Sequence, residues 1–379
     1  MNRLILFLTI ALAVAAEARA GGAIDTLWTI GLDGSLGSII SVSLTPSEDT
    51  IAAGYEWGTI KVFNAANGDS LFCFKHGEDL QTISISADGK YLASGGSGRA
   101  VKIWDLESKK LLTTLIDTST SQDSGMVHTV QFTPDGKLHV LFETDTMGRE
   151  TSWLFTINNT DWRIERQSII PLTYPIMKVS PDLKSIAVLG GLWRDFKTAI
   201  DMMIFDYNTD TLIVDMFPQK SQYVESFDFS RDGKTLALSF GKGLWLYSTI
   251  NYKAYYAYNI DSMYIYNSTF FNDGKRMIIN QKPPLGLNFF NIETSTSFGF
   301  FQRYLQEYSK YWIPSIMLLN KGNNRLFCAG IILTCYDITH FNGIEKTVAI
   351  QQTLYPNPST GFVTIALSEN SSIKSVTVT

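Results

Sequence analysis

The residues best suited to chemistry are few, and their spacing does not assemble them. Four histidines are present, His76, His128, His139 and His340. None forms an H-x-x-x-H pair and none stands near a cysteine pair at zinc spacing, so no metal and no cofactor are expected. There is no G-x-S-x-G elbow, P-loop or dinucleotide-binding glycine fingerprint. Gly95-Gly96 and Gly190-Gly191 belong to hairpin turns, where glycine is needed for its backbone freedom. Scattered carboxylates, Asp145, Glu150 and Asp195, are the acid and base that a polysaccharide hydrolase or lyase would require. That is one alternative reading, a purely structural surface-layer component is another, and the leading one has no catalytic residue.

Binding chemistry is better represented. The stretch from Gly190 to Phe196 joins Trp193, Arg194 and Asp195, residue types enriched where binding energy concentrates. From Phe301 to Trp312, Tyr304, Leu305, Tyr308, Tyr311 and Trp312 recur at helical intervals, predicting a short amphipathic helix. The bland alternative is that all these rings pack between sheets. A tyrosine run, Tyr252, Tyr255, Tyr256 and Tyr258, falls on a predicted strand, where aromatics fit well. Packing between sheets is the expected role there, and sugar binding the alternative.

What must position these side chains is a repeat. From His76 the chain reads as an alternating strand, Leu80 to Ser86, an Asp88-Gly89 turn, a second strand, Tyr91 to Ser94, and a third ending at Trp104-Asp105. A fourth strand follows at Leu111 to Ile116. Asp-Gly between alternating segments is a strong hairpin signal. The preceding unit has Ile39 to Leu44, Thr50 to Ala53 and Thr59 to Phe63 in the same places, with Phe63-Asn64 standing 41 positions before Trp104-Asp105. Further turns recur at Asp135-Gly136, Pro181-Asp182, Asp232-Gly233, Asp273-Gly274 and Lys321-Gly322. Their third strands are read as ending at Phe155, Phe205-Asp206, Tyr247, Phe290-Asn291 and Tyr336-Asp337. Seven units of roughly 46 residues are the signature of four-stranded propeller blades.

The second unit resembles a WD repeat. His76, Ser94 and Trp104 stand where that family places a hydrogen-bonded network that stiffens the blade, while Gly98 takes the place of the family's turn aspartate. The resemblance implies an all-β, seven-bladed β-propeller over residues 24–350, WD-like and divergent. Ring closure is expected from Asp25 to Ile30 serving as the last blade's fourth strand, with Lys346 to Ile350 as the competitor.

Both ends read differently from the middle. Residues 1–20 have a positive start, an apolar run from Leu4 to Ala16 and a small-x-small site at Ala18-Arg19-Ala20, the pattern of a signal peptide. No later stretch is long and apolar enough to span a membrane. Residues 353–379 resemble the opening of the C-terminal sorting domain of the type IX secretion system of Bacteroidetes, on Tyr355, Pro356, Asn357, Pro358 and Gly361. They stop short of the family's remaining strands. The resemblance implies type IX secretion machinery as a partner and a secreted or outer-membrane-surface location.

Composition narrows the partners. Apolar residues make up 45%, aromatics 13% and charged residues 18%, which suits a large core. A net charge of −5 lacks the basic face that nucleic acid requires. Cys328 and Cys335 flank a predicted hairpin and are read either as a disulfide or as two buried thiols. In an up-and-down blade, the 2–3 turns and blade-to-blade links share one face. That face is predicted to collect the long loops, Asp117 to Gly125, Glu143 to Thr151, Gly190 to Ile200 and Gln302 to Trp312. The expected function is therefore a scaffold that binds a protein or glycan through this face.

Overall fold

The computed structural model describes residues 24–31, 34–116, 124–146, 149–194, 197–216, 224–240, 243–259, 264–282, 286–302, 316–330, 332–341, 363–366 and 375–378. Two compact units divide the chain, residues 1–342 and 343–379. Among the described residues the second holds one antiparallel pair, Val363–Ala366 with Ser375–Val378. The predicted signal peptide and the sorting-motif residues Tyr355, Pro356, Asn357, Pro358 and Gly361 lie outside the described residues.

The first unit is a seven-bladed β-propeller of four-stranded antiparallel sheets. Blade 1 runs Ile39–Leu44, Thr50–Tyr55, Thr59–Asn64 and Ser70–Lys75 from the channel outward. Blades 2 to 6 repeat this over residues 80–116, 124–170, 173–216, 224–259 and 264–302. Blade 7 takes three strands from Ile316–Leu319, Arg325–Ala329 and Leu333–Asp337, and its outer strand is Asp25–Ile30. The N-terminal strand therefore closes the ring, pairing Asp25 with Asp337 and Ile30 with Leu333.

The 1–2 turns of blades 2 to 5 share one device. A Ser or Thr hydroxyl donates to an Asp two residues on: Ser86 to Asp88 at 2.6 Å, Thr133 to Asp135 at 2.7 Å, Ser180 to Asp182 at 2.7 Å, Ser230 to Asp232 at 2.7 Å. The next residue is left-handed, with φ of +73° at Gly89, +80° at Gly136 and +71° at Gly233, and Gly274 of blade 6 has the same conformation at +67° without the hydroxyl. Blade 4 puts Leu183 there at φ +55°. The Asp-Gly pairs in the sequence thus mark the turn chemistry itself.

The 3–4 turns use a second device. A residue at the end of the third strand caps backbone amides further on: Asn64 accepts from Ala66, Asp105 from Ser108, Asn158 from Thr160 and Asp206 from Asn208. That is the work of the aspartate in Trp104-Asp105. Asn158 holds this position in blade 3, opposite Lys137, as Asp105 lies opposite Tyr91. The third strand of blade 3 therefore ends at Ile157-Asn158, two residues past the expected Phe155.

Two of the four long loops predicted for the other face are extended hairpins. In blade 3, pairing continues to Thr146 with Arg149, and in blade 4 to Arg194 with Lys197. Gly190 and Gly191 sit inside a strand, where a Cβ on Gly190 would come within 2.9 Å of the Thr173 carbonyl. The glycines there admit a close backbone approach and do not form a turn. The predicted helix from Phe301 to Trp312 begins in strand, at Phe301 and Gln302, and the remainder lies outside the described residues.

Candidate functional site

Inner strands line the channel and carry a repeated inter-blade ladder. A side-chain oxygen on one blade accepts from a backbone amide on the next: Ser41 from Ile83, Thr82 from Val130, Thr129 from Met177, Ser226 from Ser268. Blade 4 departs from the pattern. Its inner strand alternates buried and exposed residues, and places Tyr174, Ile176 and Lys178 outward. Lys178 instead pairs with Asp228 of blade 5 at 2.9 Å.

Tyr174 is the most unusual residue of this region. It stands 64% exposed, with φ +48°, immediately before Pro175. A non-glycine residue at positive φ costs on the order of 1–2 kcal/mol, and the following proline narrows its choices further. The strain is held by Glu143 of blade 3, whose carboxylate accepts the Tyr174 amide at 2.8 Å. The same oxygen lies 2.8 Å from His128 Nε2. Glu143 is buried, so it takes both contacts away from solvent, and the His128 ring meets Tyr174 edge-on at 6.0 Å. Strain of this kind, held by surrounding structure, concentrates at functional sites.

Tyr174 is near the start of its inner strand, which places it toward the loop-bearing face. Glu225 and Tyr264 occupy the same level on blades 5 and 6 and are hydrogen-bonded to each other. That bond, more than partial burial, raises the Tyr264 phenol to about 12, so it stays protonated. Tyr264 also contacts Tyr266 at 4.9 Å. The rim of the channel on this face therefore presents two exposed phenols and supporting carboxylates. It can hydrogen-bond and stack. Among the described residues no group of three or more His, Cys, Asp or Glu could hold a metal ion.

The residues singled out from sequence fare unevenly. Trp193 and Arg194 are in the extended hairpin of blade 4, opposite Thr198 and Lys197; Asp195, Tyr304, Tyr308, Tyr311 and Trp312 lie outside the described residues. Asp145 and Glu150 are cross-strand partners in blade 3. The tyrosine run divides by strand alternation. Tyr256 and Tyr258 pack in the core between blades 5 and 6, while Tyr255 is exposed. Tyr252 precedes the strand and bonds Ser185 of blade 4 at 2.6 Å.

Cys328 packs toward blade 6 and Cys335 toward blade 1, on opposite faces of their sheet, and neither is in a disulfide. Burial pushes the Cys335 thiol up to about 12.

The blade 2 network forms as its residues predict. Trp104 Nε1 donates to Ser94 Oγ at 2.8 Å, and His76 Nδ1 stands 2.9 Å from the same oxygen. The indole can only donate, so the serine proton goes either to Nδ1 or to the Lys102 carbonyl 3.4 Å away, and that choice sets which ring nitrogen of His76 is protonated. Burial, helped by Lys102, lowers the His76 pKa to about 4, so the ring is neutral. The missing aspartate has a partial substitute. A Cβ on Gly98 would lie 3.0 Å from the Glu78 carboxyl carbon, and Glu78 reaches within 3.9 Å of His76 Nε2 and 3.7 Å of Lys102.

This blade is also where similarity to known proteins is found. The family described as "WD domain, G-beta repeat" matches residues 68–105. Blade 2 is WD-repeat-like. Two curated relatives are similar over the same kind of length. One, named "Small ribosomal subunit protein RACK1", from Medicago sativa, is 28% identical over 96 residues, 25% of this chain and 29% of the relative. The other, of the same name from Glycine max, is 29% identical over 94 residues, 24% of this chain and 29% of the relative. The match thus spans less than a third of either relative. Their printed name overturns the expected secreted or outer-membrane-surface location, since both are named for the small ribosomal subunit.

Proposed function

We propose that this propeller is a non-catalytic scaffold that holds a protein partner on the loop-bearing face, at the channel rim formed by blades 4 to 6. The observation that carries the reading is Tyr174, strained, exposed and anchored through its backbone by a buried carboxylate. A strained residue that stays 64% exposed presents its ring to contacts outside the fold. Tyrosine supplies a large amphipathic contact at low entropic cost. Rigid blades on three sides keep the rim in one geometry, which limits what binding must order. The relatives' name, a component of a large assembly, supports a docking role. The net charge of −5 favours a protein over a nucleic-acid contact surface.

The test is a photo-crosslinking amino acid placed at Tyr174 and, as a control, at Ile250, which is 85% exposed in the 3–4 turn of blade 5 on the opposite face. Protein adducts at position 174 alone support the reading. Equal labelling at both positions removes the rim as the site, and adducts to glycan would redirect it to a sugar.

A further inference from the structure

One gap between blades lacks the ring that the other gaps carry. The penultimate residue of the third strand faces the preceding blade, and it is aromatic in six blades: Phe63, Trp104, Phe205, Tyr247, Phe290 and Tyr336. Between blades 1 and 2, Trp104 stacks on Phe74 at 4.8 Å. Between blades 2 and 3 the equivalent residues are Ile157 and Leu115, and both line a cavity of about 630 Å³. That volume falls in the range of small-molecule sites, roughly 300–1,000 Å³.

The walls select the occupant by their chemistry. Blade 3 supplies an aromatic wall, on which Trp153 and Phe155 lie 6.5 Å apart with ring planes 17° from parallel. A flat molecule aligned with one ring is therefore aligned with both. Blade 2 supplies an aliphatic wall from Val101 and Leu115. Trp162 bounds one end, held edge-on by Tyr91 at 5.3 Å and Phe132 at 6.4 Å. Among the described residues of the lining Arg99 alone is charged, and it is already engaged within the fold, with the Phe142 ring centre 5.6 Å from its guanidinium. These walls thus offer no spare charge, and an ion between them would be buried without compensation. Gln167 stands opposite Phe155 on the outer strand of blade 3, exposed at the mouth. Its amide can both donate and accept a hydrogen bond.

We propose that this inter-blade cavity binds an uncharged, planar, fused-ring aromatic molecule bearing one carbonyl or hydroxyl. Its rings lie against Trp153 and Phe155, and its polar edge meets Gln167 at the mouth. The ring faces leave water for apolar walls, which is the main gain, and the parallel aromatic side chains add offset stacking. A fused-ring molecule is rigid and the flanking sheets are already ordered, so little conformational freedom is lost on binding. A flexible chain could fill the same volume but would lose more freedom and gain no stacking. This site is separate from the channel rim and stands or falls without it.

The full chain is titrated with the naphthalene ketone prodan, whose emission shifts to the blue when it leaves water. Acetylnaphthalene, naphthoate, naphthylmethylammonium and decanol then compete for the bound probe. Saturable, blue-shifted binding is expected, with acetylnaphthalene displacing the probe at least tenfold better than either charged analogue or decanol. Ile157→Trp and Leu115→Trp fill the cavity from opposite walls, and each should abolish binding; melting temperatures by circular dichroism show whether these variants fold. Gln167→Leu changes an exposed side chain, keeps the fold, and should weaken prodan at least threefold. The proposal is overturned by an absence of saturable binding, or by a charged or flexible competitor that matches acetylnaphthalene. Full binding by a folded tryptophan variant, or unchanged affinity in Gln167→Leu, overturns it as well.

Discussion

His76 and His139 are both fully buried, and burial lowers each pKa to about 4. In the unfolded chain a histidine titrates near 6.5. Between those values the unfolded state binds protons that the folded state refuses. Stability is therefore complete above pH 6.5 and falls as pH drops from 6.5 toward 4. Each ring contributes about 1–3 kcal/mol across that window. Urea unfolding at pH 7 and pH 5 should show the loss, and a His76→Gln, His139→Gln double variant should show a shallower slope; an identical slope would remove these rings as its cause. Asp88 and Asp232 add a second, more acidic phase. Burial opposes their ionisation, but the Ser86 and Ser230 hydroxyls and the turn amides outweigh it and lower their pKa. Tyr174 is the opposite case, a residue whose cost is conformational. Tyr174→Gly should raise stability by about 1 kcal/mol by releasing the positive φ, while weakening partner crosslinking at the rim. A loss of stability instead would mean that Tyr174 is a packing residue. His76, Ser94 and Trp104 were legible in the sequence because a spacing specifies them. Tyr174 was not, since strain arises from a backbone angle that no residue type announces.

Turns are the elements on which the repeat is written. In blades 2 and 5 the serine hydroxyl both donates to the turn aspartate and accepts the amide that opens the second strand, Tyr91 at 2.9 Å and Thr235 at 2.9 Å. Ser230→Ala should therefore cost about 1–2 kcal/mol, and Ser86→Ala the same. The two blades are not neighbours, so the costs should add within about 0.5 kcal/mol. Chemical denaturation of the single and double variants checks this; strong non-additivity would show that the turns communicate around the ring. Asp-Gly turns were readable because both residues tolerate positive φ, and Leu183 shows that the turn can form without glycine. The third-strand end of blade 3 was misplaced because Phe155 imitates the usual aromatic, while the true position holds Ile157. The same local departure that misled the reading is what opens the gap beside blade 2. In the 3–4 turns the left-handed residue reaches back to the preceding blade. Trp162 meets Tyr91 at 5.3 Å, Asp210 takes Arg166 at 3.0 Å, and Lys109 lies 5.0 Å from the Phe72 ring. Side chains at these positions offset backbone strain with inter-blade contact, a relation that sequence spacing alone does not reveal.

At the scale of the molecule, one strand determines whether the ring is closed. Asp25–Ile30 supplies the outer edge of blade 7, and without it the core between blades 7 and 1 loses a wall. Trp28 is the centre of that wall. It lies 5.9 Å from Phe327, donates to the Ala65 carbonyl at 3.2 Å, and covers Gly68, where a Cβ would come within 2.9 Å of its ring. Gly68, at φ +77°, is the glycine among these left-handed 3–4 turn positions, so the indole fills space that a side chain takes elsewhere. The closing strand was legible as an alternating segment with no hairpin partner of its own; its seat against Gly68 was not, because the contact joins residues from the two ends of the ring. Glu48 of blade 1 also bonds Asn320 of blade 7 at 3.0 Å, so closure is secured on the turn face as well. Trp28→Ala removes the packing and the hydrogen bond together and should cost about 3–5 kcal/mol. A ring in which each blade buries its neighbours should lose that stability as a whole. The variant is therefore expected to melt in one transition at lower temperature, by calorimetry and by circular dichroism alike. Two separated transitions, with blades 2 to 6 melting as in the wild type, would show that closure protects only blades 7 and 1 and that the array behaves as a chain of local units.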